Sequence, residues 1–429
     1  MANPFGGLLR GVAAIAREAA APRATPYTTP RGSASSGTAA GGWDALLAQA
    51  TATAATLAAD YMDRQQSQAE MPPAPRSSLE LALSAARFAE VAYEPSENEV
   101  KRRLLQMGAE LLHFCPQKIE EATATPRAAA WEAEAASEPY REERAAMSAM
   151  IEQQALPQWY LAHDSAGHLY LTFRGSKSQD DVFRDLCAVP VPHGKLRFHG
   201  GFLGGIIGNA ELQHTLEAYL SGTSAPLYIS GHSLGGSLAL ITLFVEGMLP
   251  PSFNGPVTVV AVGSPPVLHG RPAAASGAPP APGGGDAGAP PPSFHARGLV
   301  LPPFAARARC LVVVNSADAV PRCLGSPLPL AGSLLPLEAA AQASANGNSN
   351  VAAALLAALP EYVHLPQTEV LLLRPRSESG IAVSVPPDRR KDVFHLHESW
   401  SINVARDHMK GAYVEALEAA LAKLSAELR

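Results

Sequence analysis

The stretch Leu227-Tyr228-Ile229-Ser230-Gly231-His232-Ser233-Leu234-Gly235-Gly236-Ser237-Leu238-Ala239-Leu240-Ile241-Thr242-Leu243-Phe244 contains the pattern Gly-x-Ser-x-Gly. In a chain with 35 glycines the pattern alone says little, and its flanks decide the reading. A β-rich run enters it and an apolar run with helical spacing leaves it. Gly231, Gly235 and Gly236 let the backbone turn sharply and pack closely. Strand, tight turn and helix in this order predict a nucleophile elbow, in which a strained backbone lifts the Ser233 hydroxyl above a sheet and onto a helix N-terminus.

A serine hydroxyl is a poor nucleophile until a general base, itself oriented by a carboxylate, takes its proton. On such an elbow the partners follow in the order acid, then histidine. The later aspartates are Asp286, Asp318, Asp388, Asp392 and Asp407. Asp286 lies in a Pro/Gly tract that offers nothing to hold it. Asp318 follows the buried-type run 310–314 by the short turn Asn315-Ser316-Ala317. A carboxylate at the C-terminal edge of a strand is where active sites of open α/β sheets collect, so Asp318 is the candidate acid. The later histidines are His364, His395, His397 and His408, and composition does not choose among them. His408 precedes an amphipathic helical pattern (Tyr413, Ala416, Leu417, Ala420, Leu421, Leu424). His395 and His397 would share a strand face, but no cysteine or carboxylate at metal-ligand spacing accompanies them. For the oxyanion, the backbone N–H of Leu234 is one expected donor. The turn Phe173-Arg174-Gly175-Ser176, which directly follows a clear strand, offers Ser176 as the other.

Outward from the elbow, Leu169, Leu171 and Phe173 alternate with Tyr170 and Thr172, and further β-type segments stand at 257–262, 310–314 and 370–373. Helical patterns separate the earlier ones, which points to an α/β fold. Upstream, Leu79, Leu81, Leu83, Ala86, Phe88, Val91 and Tyr93 predict a helix docked on the core, and a second helix is expected over 97–114, ended by Pro116. The expected organisation is a leader and linker over 1–76, a helical N-terminal extension over 77–154 and the main domain over 155–429. An Ala/Pro/Gly insertion at 271–292 interrupts that domain.

Glycine (35) and proline (38) are abundant in these 429 residues, yet 47% hydrophobic content against 17% charged supports a sizeable core and excludes wholesale disorder. A formal charge of −6 without a basic stripe argues against nucleic acid as a partner. The four cysteines are far apart and read as reduced thiols. The best uncharged apolar run, 238–245, is far short of the roughly 18–20 residues that span a bilayer. Residues 1–43 carry Arg10, Arg17, Arg23 and Arg31 but one acidic residue, Glu18, the composition of an organelle transit peptide.

Five segments carry a family resemblance: Tyr170-Leu-Thr-Phe-Arg-Gly-Ser176, His199-Gly-Gly-Phe202, Gly231-His-Ser-Leu-Gly-Gly236, Asn315-Ser-Ala-Asp-Ala-Val-Pro321 and Asp407-His-Met-Lys-Gly-Ala-Tyr413. In this order the chain resembles the class 3 lipases, the fungal-lipase-like branch of the α/β-hydrolases, over about 155–425. The resemblance implies an α/β-hydrolase fold: a mostly parallel central sheet with helices on both faces, a nucleophile elbow and a helical lid. It implies a serine acyl-ester hydrolase that releases fatty acids from glycerolipids, with Ser233 as nucleophile and Asp318 as acid. His408 becomes the base because the family places a tyrosine five residues later, here Tyr413. Ser176 and Leu234 become the oxyanion hole. The lid would span 177–196, with Val182, Phe183 and Leu186 on its apolar face; many members have Trp where Val182 stands. No cofactor or metal is implied, and the implied partners are a glycerolipid and the surface of a membrane or lipid droplet.

Within the family, the leader, the insertions around the acid and the run Glu369-Val-Leu-Leu-Leu-Arg-Pro375 are most similar to plant plastid phospholipase A1/galactolipid lipases. That implies a plastid (chloroplast) location, with the cytoplasm, peripheral to membranes, as the alternative. Two competing readings remain: a non-catalytic lipase-like binding or signalling protein, which would ordinarily lack one of the three residues, and a lipid transacylase, which would use the same ones.

Overall fold

The central strands form because both phases of their period-2 pattern are apolar: Val259 and Ala261 face one side, Val260 and Val262 the other, and all four are buried. The computed structural model describes residues 71–117, 156–176, 190–193, 196–207, 209–269, 301–316, 318, 320–323, 362–364, 367–374, 382–394 and 406–427. Along the chain these are α1 (Arg76–Val91), α2 (Glu97–Gln106), β1 (Ala109–Cys115), β2 (Trp159–Asp164), β3 (Leu169–Phe173), β4 (Pro190–His193) and β5 (Leu196–His199). Next come α3 (Gly200–Ile207), α4 (Ala210–Leu220), β6 (Leu227–His232), α5 (Leu234–Ile241), β7 (Val257–Val262), β8 (Leu268–His269), α6 (Pro303–Arg307) and β9 (Arg309–Asn315). The last are α7 (Val320–Cys323), β10 (Tyr362–Val363), β11 (Glu369–Leu373), β12 (Ala382–Ser384), α8 (Arg390–Phe394) and α9 (Lys410–Glu427).

The main sheet has the order β1-β2-β3-β6-β7-β9-β11-β12. From β3 to β11 its pairings are parallel; β1, β2 and β12 join antiparallel at the two edges. A smaller antiparallel sheet, β10-β8-β5-β4, lies apart from it. One face of the main sheet packs Leu171, Ile229, Val259 and Val312 with α3, α4 and α5. The other packs Val260, Val262, Val313 and Leu371 with Leu79, Ala82 and Ala86 of α1 and with Tyr413, Ala416 and Leu417 of α9. A mostly parallel sheet, helices on both faces and a serine turn at the end of β6 make this an α/β-hydrolase fold.

Register positions the site. Phe173 pairs with Gly231, Gly231 with Ala261, Val262 with Val313 and Asn315 with Leu373, so the strands end in one row. Ser233 leaves that row from β6 and Asp318 from β9.

One expected element is corrected. The helix predicted over 97–114 stops at Gln106, because Gly108 adopts φ 75° and turns the chain out of the helix. Residues 109–115 are instead the edge strand β1, paired with β2 from Ala109↔Asp164 to Cys115↔Trp159. The supposed helical extension therefore adds a strand to the main sheet. Cys115 and Cys310 are buried thiols that are not joined in a disulfide, and burial pushes the Cys310 thiol up to about 12. Among the described residues no helix is long and apolar enough to cross a membrane. Val182, Phe183 and Leu186 of the expected lid, the 271–292 insertion, His395 and His397 lie outside the described residues.

Candidate active site

The elbow is strained and fastened. Ser233 has φ 59° and ψ −128°, a region that a side-chain-bearing residue adopts only when its surroundings force it. Its N–H donates to Val262 O at 2.9 Å, and its carbonyl accepts from Gly236 N–H at 3.0 Å. The glycines have steric reasons: a Cβ on Gly231 would collide with the backbone of Gly235, and one on Gly235 with the Phe173 carbonyl. Ser237, in the first turn of α5, donates from Oγ to Pro265 O at 2.9 Å and ties the helix to the loop after β7.

Three side chains far apart in sequence meet above this turn. His408 Nε2 is 2.9 Å from Ser233 Oγ, while His408 Nδ1 is 2.9 and 3.1 Å from the two Asp318 oxygens. An ionised carboxylate can only accept, so Nδ1 carries the imidazole proton and Nε2 presents its lone pair to the serine hydroxyl. Asp318 is fully buried. Burial raises its pKa, but attraction to His408 and hydrogen bonds from His408, Tyr413 and the Val320 N–H outweigh that and hold it below the usual carboxylate range. Tyr413 donates to Asp318 Oδ2 and accepts from the Asn315 N–H at 3.1 Å.

The loop bearing the acid is clamped by Arg322, whose guanidinium donates to the carbonyls of Asp318, Ser316 and Val393, each at 2.6 Å. Beside Ser233 lies Gly175, whose added Cβ would stand 3.1 Å from the serine Cβ; Ser176 follows it directly. Leu234 opens α5, where backbone N–H groups have no partner inside the helix. Of the other histidines considered for the base, His364 is buried against Phe394, ring centroids 4.6 Å apart.

Residues 170–326 match the family of class 3 lipases. A lipase of Rhizomucor miehei is 36% identical over 83 residues, which are 18% of this chain and 23% of that protein. The chain thus aligns with less than a quarter of that relative's length. Among solved structures, a triacylglycerol lipase from Penicillium expansum is 12% identical over 77% of this chain and 91% of its own, with a TM-score of 0.43. The Rhizomucor miehei lipase in its propeptide complex is 15% identical over 79% and 81%, with a TM-score of 0.39.

The matched stretch contains Ser176, Ser233, Leu234 and Asp318, whereas His408 and Tyr413 lie beyond it. The structure places Ser233, Asp318 and His408, the three residues named from the sequence, in one hydrogen-bonded chain, and sequence reasoning missed residues that hold them. Tyr93 counted as one more apolar helix position; it lies two residues past the end of α1, with its hydroxyl at His232. His232 fills the variable slot of Gly-x-Ser-x-Gly, where no pattern assigns a task. Asn315 donates from Nδ2 to Asp407 O at 3.1 Å, and only its place between strand end and acid hinted at a role. Among the described residues, no group of three or more His, Cys, Asp or Glu is placed to hold a metal ion.

Proposed function

We propose that the protein is a serine acyl-ester hydrolase acting on glycerolipids. The observation that supports this best is the hydrogen-bonded chain from Ser233 through His408 to Asp318, standing on a strained elbow within the stretch that matches the class 3 lipases. Ser233 Oγ attacks the ester carbonyl as His408 Nε2 takes its proton. Asp318 keeps the imidazole in that tautomer and stabilises the imidazolium that forms. The N–H groups of Leu234 and Ser176 hold the oxyanion. On collapse the C–O bond to glycerol breaks, and the leaving alkoxide takes the proton from Nε2, leaving an acyl-enzyme. Water then attacks it, giving its proton to Nε2; the fatty acid departs and that proton returns to Ser233 Oγ.

The finer substrate we propose is a phospholipid or galactolipid, on the strength of the insertions around Asp318 and the run 369–375. The protein would meet it at a membrane or lipid-droplet surface, and residues 1–43 would direct the chain to a plastid. Wild type and Ser233→Ala, assayed against triacylglycerol, diacylglycerol, phosphatidylglycerol, phosphatidylcholine and galactolipid, test the reading. Released fatty acid and fluorophosphonate labelling are expected in wild type and absent in the variant; equal activity of the two overturns the mechanism. A fluorescent protein fused behind residues 1–43 tests the location.

A further inference from the structure

The proposed base, His408, sits on backbone that two distant side chains grip. Asn315 Nδ2 holds the carbonyl of Asp407, and His232 Nε2 lies 2.8 Å from the carbonyl of His408 itself. A carbonyl only accepts, so His232 Nε2 carries the ring proton and Nδ1 is a lone pair. That lone pair faces the Tyr93 hydroxyl at 2.9 Å, which must be the donor. The His232 ring is buried, and burial, with the neighbouring His408 next, pushes its pKa down to about 3, so it stays neutral. Both ring nitrogens are satisfied in one tautomer alone: the His408 carbonyl requires it, and the Tyr93 hydroxyl, which can donate or accept, supports it by donating to Nδ1. With the other tautomer, two lone pairs would oppose each other at the His408 carbonyl.

Tyr93 is held as deliberately. Gln158, buried, donates from Nε2 to the carbonyls of Ala92 and Glu94 at 2.7 and 2.9 Å, one on either side of Tyr93. Its Oε1 accepts from Arg174 Nη1 at 2.7 Å, at the end of β3. The Tyr93 hydroxyl passes so near Gly175 that a Cβ there would collide with it. Lys410 Nζ stands 4.5 Å over the Tyr93 ring, from the first turn of α9. These contacts link the segment after α1, which precedes the matched residues 170–326, to the chain that carries the base.

We propose that Tyr93 and His232 are positioning residues for the general base: Tyr93, donating to Nδ1, holds the His232 ring with its Nε2–H on the His408 carbonyl, and His232 fixes the backbone of His408. The inference rests on the reading of Ser233 and His408 given above. Displacement of a reacting group by about 1 Å can cost up to a hundredfold in rate, so loss of this strut is expected to show in kcat.

The test is steady-state hydrolysis, with kcat expressed per fluorophosphonate-reactive serine and with thermal melting recorded for every variant. Tyr93→Phe removes one hydroxyl and keeps the ring; kcat is expected to fall about tenfold with KM within about twofold. His232→Gln places an amide donor near the same carbonyl and has no tautomer to set. Adding Tyr93→Phe to His232→Gln is therefore expected to change kcat by less than about twofold. A packing role for Tyr93 would produce the same loss in both backgrounds, and that result, or no loss in either, overturns the strut. Should Tyr93→Phe melt below the assay temperature, His232→Phe against His232→Gln decides: a roughly tenfold lower kcat for Phe supports the strut, and equal values overturn it. Failure of wild-type Ser233 to react with the probe would instead overturn the hydrolase reading, and this inference with it.

Discussion

Proton order at the site follows from Asp318, which can only accept and therefore keeps the hydrogen on His408 Nδ1. Asn at 318 presents both an amide N–H and a carbonyl, so it tolerates the opposite tautomer, in which Nε2 no longer accepts from Ser233. Asp318→Asn is expected to lower kcat by about three to four orders of magnitude while probe binding and melting change little; a loss under about tenfold would show that Asp318 does not set the tautomer. The neutral histidines make a second residue-level prediction. His232 and His364 are each pushed to about 3, chiefly by burial, against an ordinary value of 6.5. Below 6.5 the unfolded chain binds protons that the folded one refuses, so the stability these rings contribute is full above that pH and is lost as pH falls toward 3. The slope is at most about 1.4 kcal/mol per pH unit for each ring. Among the described residues both His364 ring nitrogens lack hydrogen-bond partners, so His364→Leu is expected to keep the melting temperature at pH 7 and to flatten its fall between pH 6.5 and 4. An unchanged slope would place the acid sensitivity elsewhere. His408 itself was legible only through resemblance, because four later histidines were equal by composition and its contact with Ser233 spans 175 positions.

At the scale of elements, the strands were legible and one helix was not, for reasons visible in particular residues. β3 and β7 have the bounds that alternation predicts, because their two phases are buried against different helix layers. The apolar spacing of Val100 and Leu104 runs on through Leu111 and Leu112 as a helix would, and a single Gly108 does not reveal from sequence that its φ is positive. The elbow was the most legible element, since three glycines in six residues have few other uses beside a β-run. Its tolerance can be measured. A Cβ on Gly235 meets the Phe173 carbonyl, which belongs to the paired end of β3 and cannot retreat. Gly235→Ala is expected to cost about 1–3 kcal/mol, typical of overpacking, and to lower the melting temperature by roughly 2–4 °C per kcal/mol. Because the same displacement moves Leu234 N–H and Ser233 together, fluorophosphonate labelling should slow as well. Wild-type melting and labelling would mean that the elbow is looser than its contacts imply.

For the whole molecule, the segment ahead of the matched residues 170–326 is part of the same folded body. Residues 71–91 begin with backbone pairing to the far edge, Ala74 N–H to Ala382 O and Ser384 N–H to Pro72 O, both 2.9 Å. They continue as α1, which packs beside α9 over the sheet, with an exposed Arg87–Glu418 pair at 2.7 Å that contributes about 1 kcal/mol at most. The apolar contacts carry far more. Leu79, Phe88, Val91, Val100 and Leu104 are buried, and each such side chain contributes about 1.5–3 kcal/mol relative to exposure. Together they match the roughly 5–15 kcal/mol by which a domain is stable at all. A chain starting at Gly108 is therefore expected not to fold, whereas one starting at Met71 retains all of these contacts. Circular dichroism, cooperative melting and probe labelling of the two truncations decide it. A cooperative melt in the shorter chain would mean that α1 and α2 are accessory. If it also labelled at Ser233 at the rate of the longer one, the site would not need Tyr93, and the strut would fall on the same measurement.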